Sequence, residues 1–403
     1  MSSGSSRFRA WWWLPLGIFA LTRLLDAVLL TVEARRQVAM APGGGIFMAV
    51  PLPASPSYWQ LLTNYDGQWY EQIALHGYPH ALPAGTDSLV GKNPWAFFPL
   101  YPAIVRGVMT VTSLPFGVAA SLVSLVCAGA AMLLLFRLVS ESGGRFVAAV
   151  TVLALCVYPS AVLFQAAYTE GLALLLVLIC LVLLRRRRYA VLALVAVALS
   201  LTRPIVPVLA VVVAVHGIAR WRGERRGGEP FPVRERVACA AAAVVAALSF
   251  LIWPVVAGVV TGEPRAYLET QNAWAHGDAG WPSWLAHLLG RPPVLLGVLG
   301  LAILAAICLI VGRRRARVWG SQLRWWAPVY ELYLLGTTRP TTSAVRYLML
   351  AIVPWWQPPA VVPPTRRRAI TTVVIVSVVG LVLQWVWVHW FFVMSQPRPP
   401  FGP

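Results

Sequence analysis

The sequence predicts an all-α, polytopic integral membrane protein with about eleven transmembrane helices. Of its residues 59% are hydrophobic and the mean hydropathy is +0.70, against roughly 45–50% apolar residues in a soluble domain. Apolar runs of about 18 or more residues with few charges recur along the chain, and in lipid only a helix satisfies every backbone N–H and C=O over that length. The basic residues, which give a net charge of +19, stand between those runs. They therefore read as topology signals and lipid headgroup contacts, and no nucleic-acid partner is expected.

Cutting the chain at charge clusters and turn residues places spans near 11–32, 116–137, 146–163, 168–184, 189–202, 203–218, 237–260, 293–311, 326–338, 344–361 and 369–393. Residues 1–403 are read as one membrane domain. The first span follows Arg7 and Arg9 as a signal peptide would, with Ala39-Met40-Ala41 resembling a cleavage site. Its apolar run reaches about Val32 and includes Arg23 and Asp26, too long and too charged for an h-region, so an uncleaved helix is expected. Arg23 and Asp26, at i and i+3, should neutralise each other. Segments 189–218 and 326–342 are the weakest spans, because Pro204, Pro207, Pro328 and Pro340 interrupt them as in broken helices lining a cavity. Cys127, Cys156, Cys180, Cys239 and Cys308 lie in apolar runs without metal-ligand spacing and read as small core residues. No internal repeat is evident.

With the N-terminus inside, the cytoplasmic connections hold Arg137, Arg145, Arg185 to Arg188, Arg220, Arg222, Arg225, Arg226, Arg234, Arg236, Arg313 to Arg315, Arg317, Arg324 and Arg366 to Arg368. Against these stand only Glu141, Glu224, Glu229 and Glu235, so the positive-inside rule fixes the orientation expected in the cell membrane.

Two long stretches then fall outside, 33–115 and 261–292. The first opens on Ala41-Pro42-Gly43-Gly44-Gly45 and continues into Asp66-Gly67-Gln68-Trp69-Tyr70-Glu71-Gln72-Ile73-Ala74-Leu75-His76-Gly77-Tyr78. Trp69, Tyr70, Ile73, Ala74 and Gly77 share one side at helical spacing, which predicts an amphipathic helix on the membrane surface, started by Asp66. Asp66 is then either an N-cap accepting from the N–H of Gln68 or Trp69, or a functional carboxylate. The run Asn93-Pro94-Trp95-Ala96-Phe97-Phe98-Pro99-Leu100-Tyr101-Pro102 reads first as an interfacial aromatic belt and second as a groove for a lipid chain or sugar ring. The second outer loop, with Glu263, Glu269, Gln271 and Trp274, repeats the mixture of carboxylates, amides and aromatics. A solvated amphipathic helix would explain it equally well.

Charges also sit inside or at the edges of spans, at Glu170, Arg203, Glu331, Arg339 and Arg346. A charge at mid-bilayer costs about 2.5–3.5 kcal/mol even on the lenient insertion scale, so it pairs or faces a polar cavity. No opposite charge stands three or four residues from Glu170, Arg203, Arg339 or Arg346, and all four lie toward outer ends of spans, which favours a polar cavity opening outward.

In this order, Asp66-Gly67-Gln68-Trp69-Tyr70 with His76-Gly77-Tyr78, Phe97-Phe98-Pro99-Leu100-Tyr101-Pro102, Tyr168-Thr169-Glu170, Thr202-Arg203-Pro204 and Ser343-Ala344-Val345-Arg346-Tyr347-Leu348 resemble the PIG-V family, GPI mannosyltransferase 2 and its bacterial, largely actinobacterial, relatives. The likeness runs from about Asp66 to about Pro354, and its first two motifs are the most specific. The resemblance implies the GT-C architecture and an enzyme that moves mannose from a polyprenyl-phosphate carrier to a hydroxyl, with inversion, on the non-cytoplasmic face. The acceptor, a lipid-linked or glycan hydroxyl, is not supplied by the family name. In that fold an acidic residue of the first outer loop acts at the catalytic centre, and Asp66 matches it.

Inverting transfer needs one base to take the acceptor proton, a role for Asp66, while a lipid phosphate leaves and needs cations to receive it. Arg346, Arg203 and His80 are the phosphate candidates, Arg346 first because its planar fork fits two phosphate oxygens. Gln68, Trp69, Tyr70, His76, Tyr101 and Glu170 in the matching motifs, with Gln271 and Trp274 in the second loop, are the substrate-binding candidates. No D-x-D pair for a nucleotide-sugar metal appears, so neither metal nor cofactor is expected. A secondary transporter or lipid flippase, with Glu170, Arg203 and Arg346 along its path, is the competing class, and a non-catalytic scaffold of the same fold is a third.

Overall fold

A computed structural model describes residues 12–40, 48–85, 90–275, 280–288, 319–338, 341, 343–351 and 365–395. The expected span 293–311, most of 344–361, Arg339, Arg313 to Arg315 and Arg317 lie outside the described residues. The regular structure described is helical, apart from two isolated bridges, Met40 to Leu52 and Ala84 to Val90. Among the described residues five helical stretches are long and apolar enough to cross a membrane: Trp13–Ala34, Phe116–Cys156, Val206–Glu224, Val233–Thr261 and Arg366–Phe392.

The chain divides into two compact units. One comprises Met1–Gln68, Val108–Leu178 and Pro354–Pro403, the other Trp69–Gly107 and Ile179–Val353.

In the first unit α1 (Trp13–Ala34) and α15 (Arg366–Trp387) pack on α5 (Phe116–Cys156). The α1 contact is close because Gly129 has no side chain; a Cβ there would sit 3.4 Å from the Phe19 ring. Arg23 and Asp26 form the expected pair, 2.7 Å apart and buried. Arg23 also donates to the carbonyls of Cys156, at 2.6 Å, and Ala161, so one cation closes the frayed end of α5 as well. Gln384 of α15 donates to the Asp26 carboxylate at 3.3 Å. Gly144, with φ 79° and ψ 167°, breaks α5 and divides the two spans expected at 116–137 and 146–163. Most of α15 is left uncovered, with Ile370, Val374, Ile375, Val378, Val379 and Val382 exposed, as lipid-facing positions require.

The short α2 (Tyr58–Leu61) begins at a capping box on Ser57 and Gln60, and α3 (Asp66–His76) follows it. α4 (Leu100–Thr112) and α6 (Glu170–Arg185) come next among the labelled helices. The second unit is built around α7 (Tyr189–Ser200), α8 (Val206–Glu224) and α9 (Val233–Ser249), with α13 (Gly320–Thr337) against α8. The expected span 237–260 is broken after Ser249 and resumes as α10 (Ile252–Thr261). α11 (Ala266–Ala275), α12 (Trp281–Leu288) and α14 (Ser343–Leu348) are shorter.

At one end of this unit the connection between α6 and α7, the connection between α8 and α9 and the first turn of α13 meet in a polar network. Arg220 is 2.9 Å from Glu229 and 3.4 Å from Glu235, Arg187 also contacts Glu229, and Arg236 is 2.5 Å from Glu224. Tyr189 donates to Glu235 at 3.1 Å and lies 3.3 Å from His216, whose other ring nitrogen is 3.2 Å from Ser321. These are connections that the arginine asymmetry assigns to one side.

Candidate active site

Asp66 is half-buried and is the first residue of α3. The backbone arrives through a tight turn in which Tyr65 takes φ 56°, a left-handed conformation rare for a bulky residue. The Gln68 N–H donates to the Tyr65 carbonyl at 3.1 Å and the Gly67 N–H to Asn64 at 3.3 Å. Asp66 is therefore inside the first turn, and the Gln68 N–H, one of the two that an N-cap could take, is bound by backbone. A carboxylate there meets the positive end of the helix dipole, worth about 0.3–1 kcal/mol. Gln68, expected to bind substrate, spends its amide on the chain: Oε1 accepts from Ala49 and Val50 at 3.0 and 3.3 Å, and Nε2 donates to Val50 at 3.1 Å.

The motif carrying Asp66 docks on the motif carrying Glu170. The Ala167 N–H donates to the Leu62 carbonyl at 2.9 Å, and the Tyr168 hydroxyl to the Asn64 carbonyl at 3.1 Å. Gly67 permits the approach: a Cβ on it would lie 3.3 Å from the Ala167 Cβ. Residues 161–170 are all buried, and Ser124 of α5 fixes them by donating to Ala166 at 2.7 Å and to Tyr168 at 3.2 Å. Glu170 is fully buried at the start of α6.

In the second unit the remainder of α3 meets the aromatic run. Trp69 stacks on Phe97 with ring centroids 5.8 Å apart and meets Trp274 edge-on at 5.3 Å. Tyr70 makes edge contacts with Phe97 at 5.3 Å and Tyr101 at 5.2 Å. Four substrate-binding candidates, Trp69, Tyr70, Tyr101 and Trp274, thus form one cluster. Asn93 ties the stretches 33–115 and 261–292 together by donating to the Thr270 hydroxyl at 3.0 Å.

Two expectations change here. The apolar face of α3 is covered by protein aromatics rather than presented to the membrane surface, with Trp69, Tyr70, Ile73 and Ala74 buried. Trp95 and Phe98 are core, packed with Trp253 and Tyr267, instead of an interfacial belt. Their polar atoms are satisfied internally, since Trp95 Nε1 donates to Pro79 and Trp253 Nε1 to Trp95, each at 3.1 Å. His76 and His80 are both exposed, and Gln271 is half-buried on α11. Glu71, which sequence reasoning passed over, is half-buried, and burial raises its carboxyl above the ordinary value. Its signal was weak, one acidic residue in a polar stretch.

Arg203 and Arg346 come together on one ring. The Arg346 guanidinium is buried, 5.1 Å from the Tyr347 centroid, and its Nη2 lies 3.3 Å from the Tyr347 hydroxyl. The Arg203 guanidinium is 5.3 Å from the same centroid. Tyr330 holds Tyr347 in place by donating to its carbonyl at 2.9 Å, and Tyr333 donates to the Pro204 carbonyl beside Arg203. Tyr347 entered the sequence reading only as a member of its motif, and Tyr330 and Tyr333 did not enter it at all. A separate cavity of about 30 Å³, lined by Glu331, Trp284, Leu334, Leu335, Thr338, Ala344 and Leu348, has room for about one water.

The chain matches no protein-family model and no curated protein sequence. Among solved structures it is similar to the Archaeoglobus fulgidus oligosaccharyltransferase. To the apo form the TM-score is 0.47, with 12% identity over 99% of this chain and 57% of that one. To the complex with Zn and sulfate it is 0.43, with 11% identity over 94% and 53%. To the form tethered by a disulfide bond to an acceptor peptide containing the NVT sequon it is 0.42, with 11% identity over 99% and 56%. The chain spans a little over half the length of the chains it matches.

Proposed function

We propose that this chain is a membrane glycosyltransferase of the GT-C class, transferring mannose from polyprenyl-phosphate-mannose to a lipid-linked or glycan hydroxyl with inversion, on the non-cytoplasmic face. The observation that carries the reading is the docking of the turn before Asp66 on the segment that opens Tyr168-Thr169-Glu170, so that the residues leading into two motifs of the PIG-V resemblance are joined by hydrogen bonds at 2.9 and 3.1 Å.

In this reading Asp66 takes the proton of the acceptor hydroxyl as that oxygen bonds to the anomeric carbon. The bond from that carbon to the carrier phosphate breaks, and the electron pair leaves with the phosphate. General-base assistance of this kind contributes about 10²–10⁴-fold. Arg346 and Arg203 receive the phosphate charge; a guanidinium stacked on a ring keeps its in-plane N–H donors available for oxygen. His80 is a third donor from the exposed turn after α3. The cluster of Trp69, Tyr70, Tyr101 and Trp274 offers aromatic faces to a sugar ring or lipid chain, with His76, Glu170 and Gln271 as the polar groups of the same motifs and loop; Gln68, its amide bonded to Ala49 and Val50, is left a structural residue.

The test is purified protein in detergent given radiolabelled polyprenyl-phosphate-mannose and a membrane lipid extract. Label should appear in an acceptor with the wild-type chain, and transfer by Asp66→Asn should fall about 10²-fold or more. No labelled acceptor with the wild type, or movement of intact donor across vesicles instead, refutes the enzyme in favour of a transporter. Near-normal transfer by Asp66→Asn removes Asp66 as the base.

A further inference from the structure

We propose that the π-turn ending the last helix, Val388–Phe392, belongs to the catalytic apparatus: through the carbonyls of Phe391 and Phe392 it holds Tyr65 and Asn64, and so fixes the backbone kink that aims Asp66. This rests on the reading of Asp66 as the base.

The kink needs holding. Tyr65, immediately before Asp66, has φ 56°, and an L-residue in that region costs about 1–2 kcal/mol. Such a conformation persists only where the surroundings over-determine it. The determinants are specific. The Tyr65 hydroxyl donates to the Phe391 carbonyl at 2.9 Å, and its ring packs against Phe392. Asn64 is fully buried, and its amide donates to the Phe392 carbonyl at 3.3 Å and to Gln37 Oε1 at 2.8 Å.

Two successive carbonyls of the turn thus meet two successive residues that lead into Asp66. They are available because the last carbonyls of a helix lack intrahelical partners, and a π-turn shifts the pairing so that the Val393 N–H returns to Val388, at 3.0 Å. The turn is itself anchored. The Glu33 carboxylate at the end of α1 lies 3.0 Å from His389 Nδ1, and accepts from Trp385 Nε1 and Arg36 Nη1, each at 3.2 Å. Beyond the turn, the Val38 N–H donates to Met394 at 2.9 Å. Packing alone would be met by any apolar helix; it does not explain polar bonds to a strained tyrosine and a buried asparagine.

Tyr65 and Asn64 are positioning residues, so the test separates kcat from KM. Tyr65→Phe, which removes one hydroxyl, should lower kcat for sugar transfer about tenfold or more while donor KM stays within about twofold and the melting temperature in detergent is unchanged. In a chain ending at Trp387 both carbonyls are gone, and Tyr65→Phe should then cost nothing further. Wild-type kcat for Tyr65→Phe, or an equal loss in both backgrounds, overturns the proposal. If the shortened chain does not accumulate, Asn64→Ala replaces it: a kcat loss without a donor KM change supports the proposal, and wild-type kcat overturns it. Asp66→Asn measured alongside distinguishes the two claims. If it stays active, the base reading fails; if it is inactive while Tyr65→Phe has wild-type kcat, only the role of the π-turn fails.

Discussion

Tyr347 sits beside two guanidiniums, and this arrangement sets what substitutions there should do. Arg346→Lys keeps the charge but loses the planar fork and the stacked geometry, so donor KM should rise about tenfold or more with kcat less affected. Wild-type donor KM would make Arg346 a structural residue. Burial holds the Glu71 carboxyl above its ordinary 4.5. The folded protein therefore binds this proton more tightly than the unfolded chain. The contribution to stability is fully present below about pH 4.5 and is lost as pH rises through the higher folded value. Glu71→Gln should remove that loss and leave the protein more stable at neutral pH, as read from melting temperatures in detergent. Asp66 could be nominated from the sequence because its neighbours form a distinctive motif. Tyr65 and Asn64 were not, because a positive φ and a carbonyl more than three hundred positions away (Phe391 and Phe392) leave no local trace.

Helices α5 and α6 approach so closely that a Cβ on Gly171 would lie 2.8 Å from the Ser124 carbonyl and 3.3 Å from the Ala128 Cβ. Gly171→Ala should therefore push the start of α6, with Glu170, away from α5 at a cost of about 1–3 kcal/mol. A melting temperature equal to wild type would show that the helices yield freely. The hydropathy of the apolar runs made α1, α5 to α9 and α15 readable, but not α2 or α4, which fall in the stretch 33–115 read as a loop. Their breaks were harder: Gly144 separates two spans as the charge pattern suggested, whereas the interruption after Ser249 was passed over although Pro254, which has no N–H for the Phe250 carbonyl four residues before it, stands in the apolar run 237–260. The aromatic run at 93–102 misled because Trp and Phe have the same composition in a lipid-facing belt as in a core. Only the partners Trp253 and Tyr267, far along the chain, decide between them.

Across the whole molecule the arginines make one orientation testable. A cysteine at position 66 should react with an impermeant thiol reagent added outside, while cysteines at positions 186 and 225 should react only after permeabilisation; equal access from outside would reverse the topology. The convergence of the Arg187, Arg220 and Arg236 connections in one network agrees with their assignment to one side. The division into two units was not legible, since composition does not change where the chain passes from one to the other. That division also sets a clock. The first unit has its opening segments finished at Leu178, yet its last segment begins only at Pro354, after all of Ile179–Val353 has been made. At about 5–20 residues per second, the ribosome takes roughly 10–35 s over the intervening stretch. During that interval α1 and α5 wait in the bilayer with the surface meant for α15 open to lipid, and the turn before Asp66 waits without the carbonyls of Phe391 and Phe392. The nascent chain therefore acquires its candidate catalytic geometry only when α15 inserts.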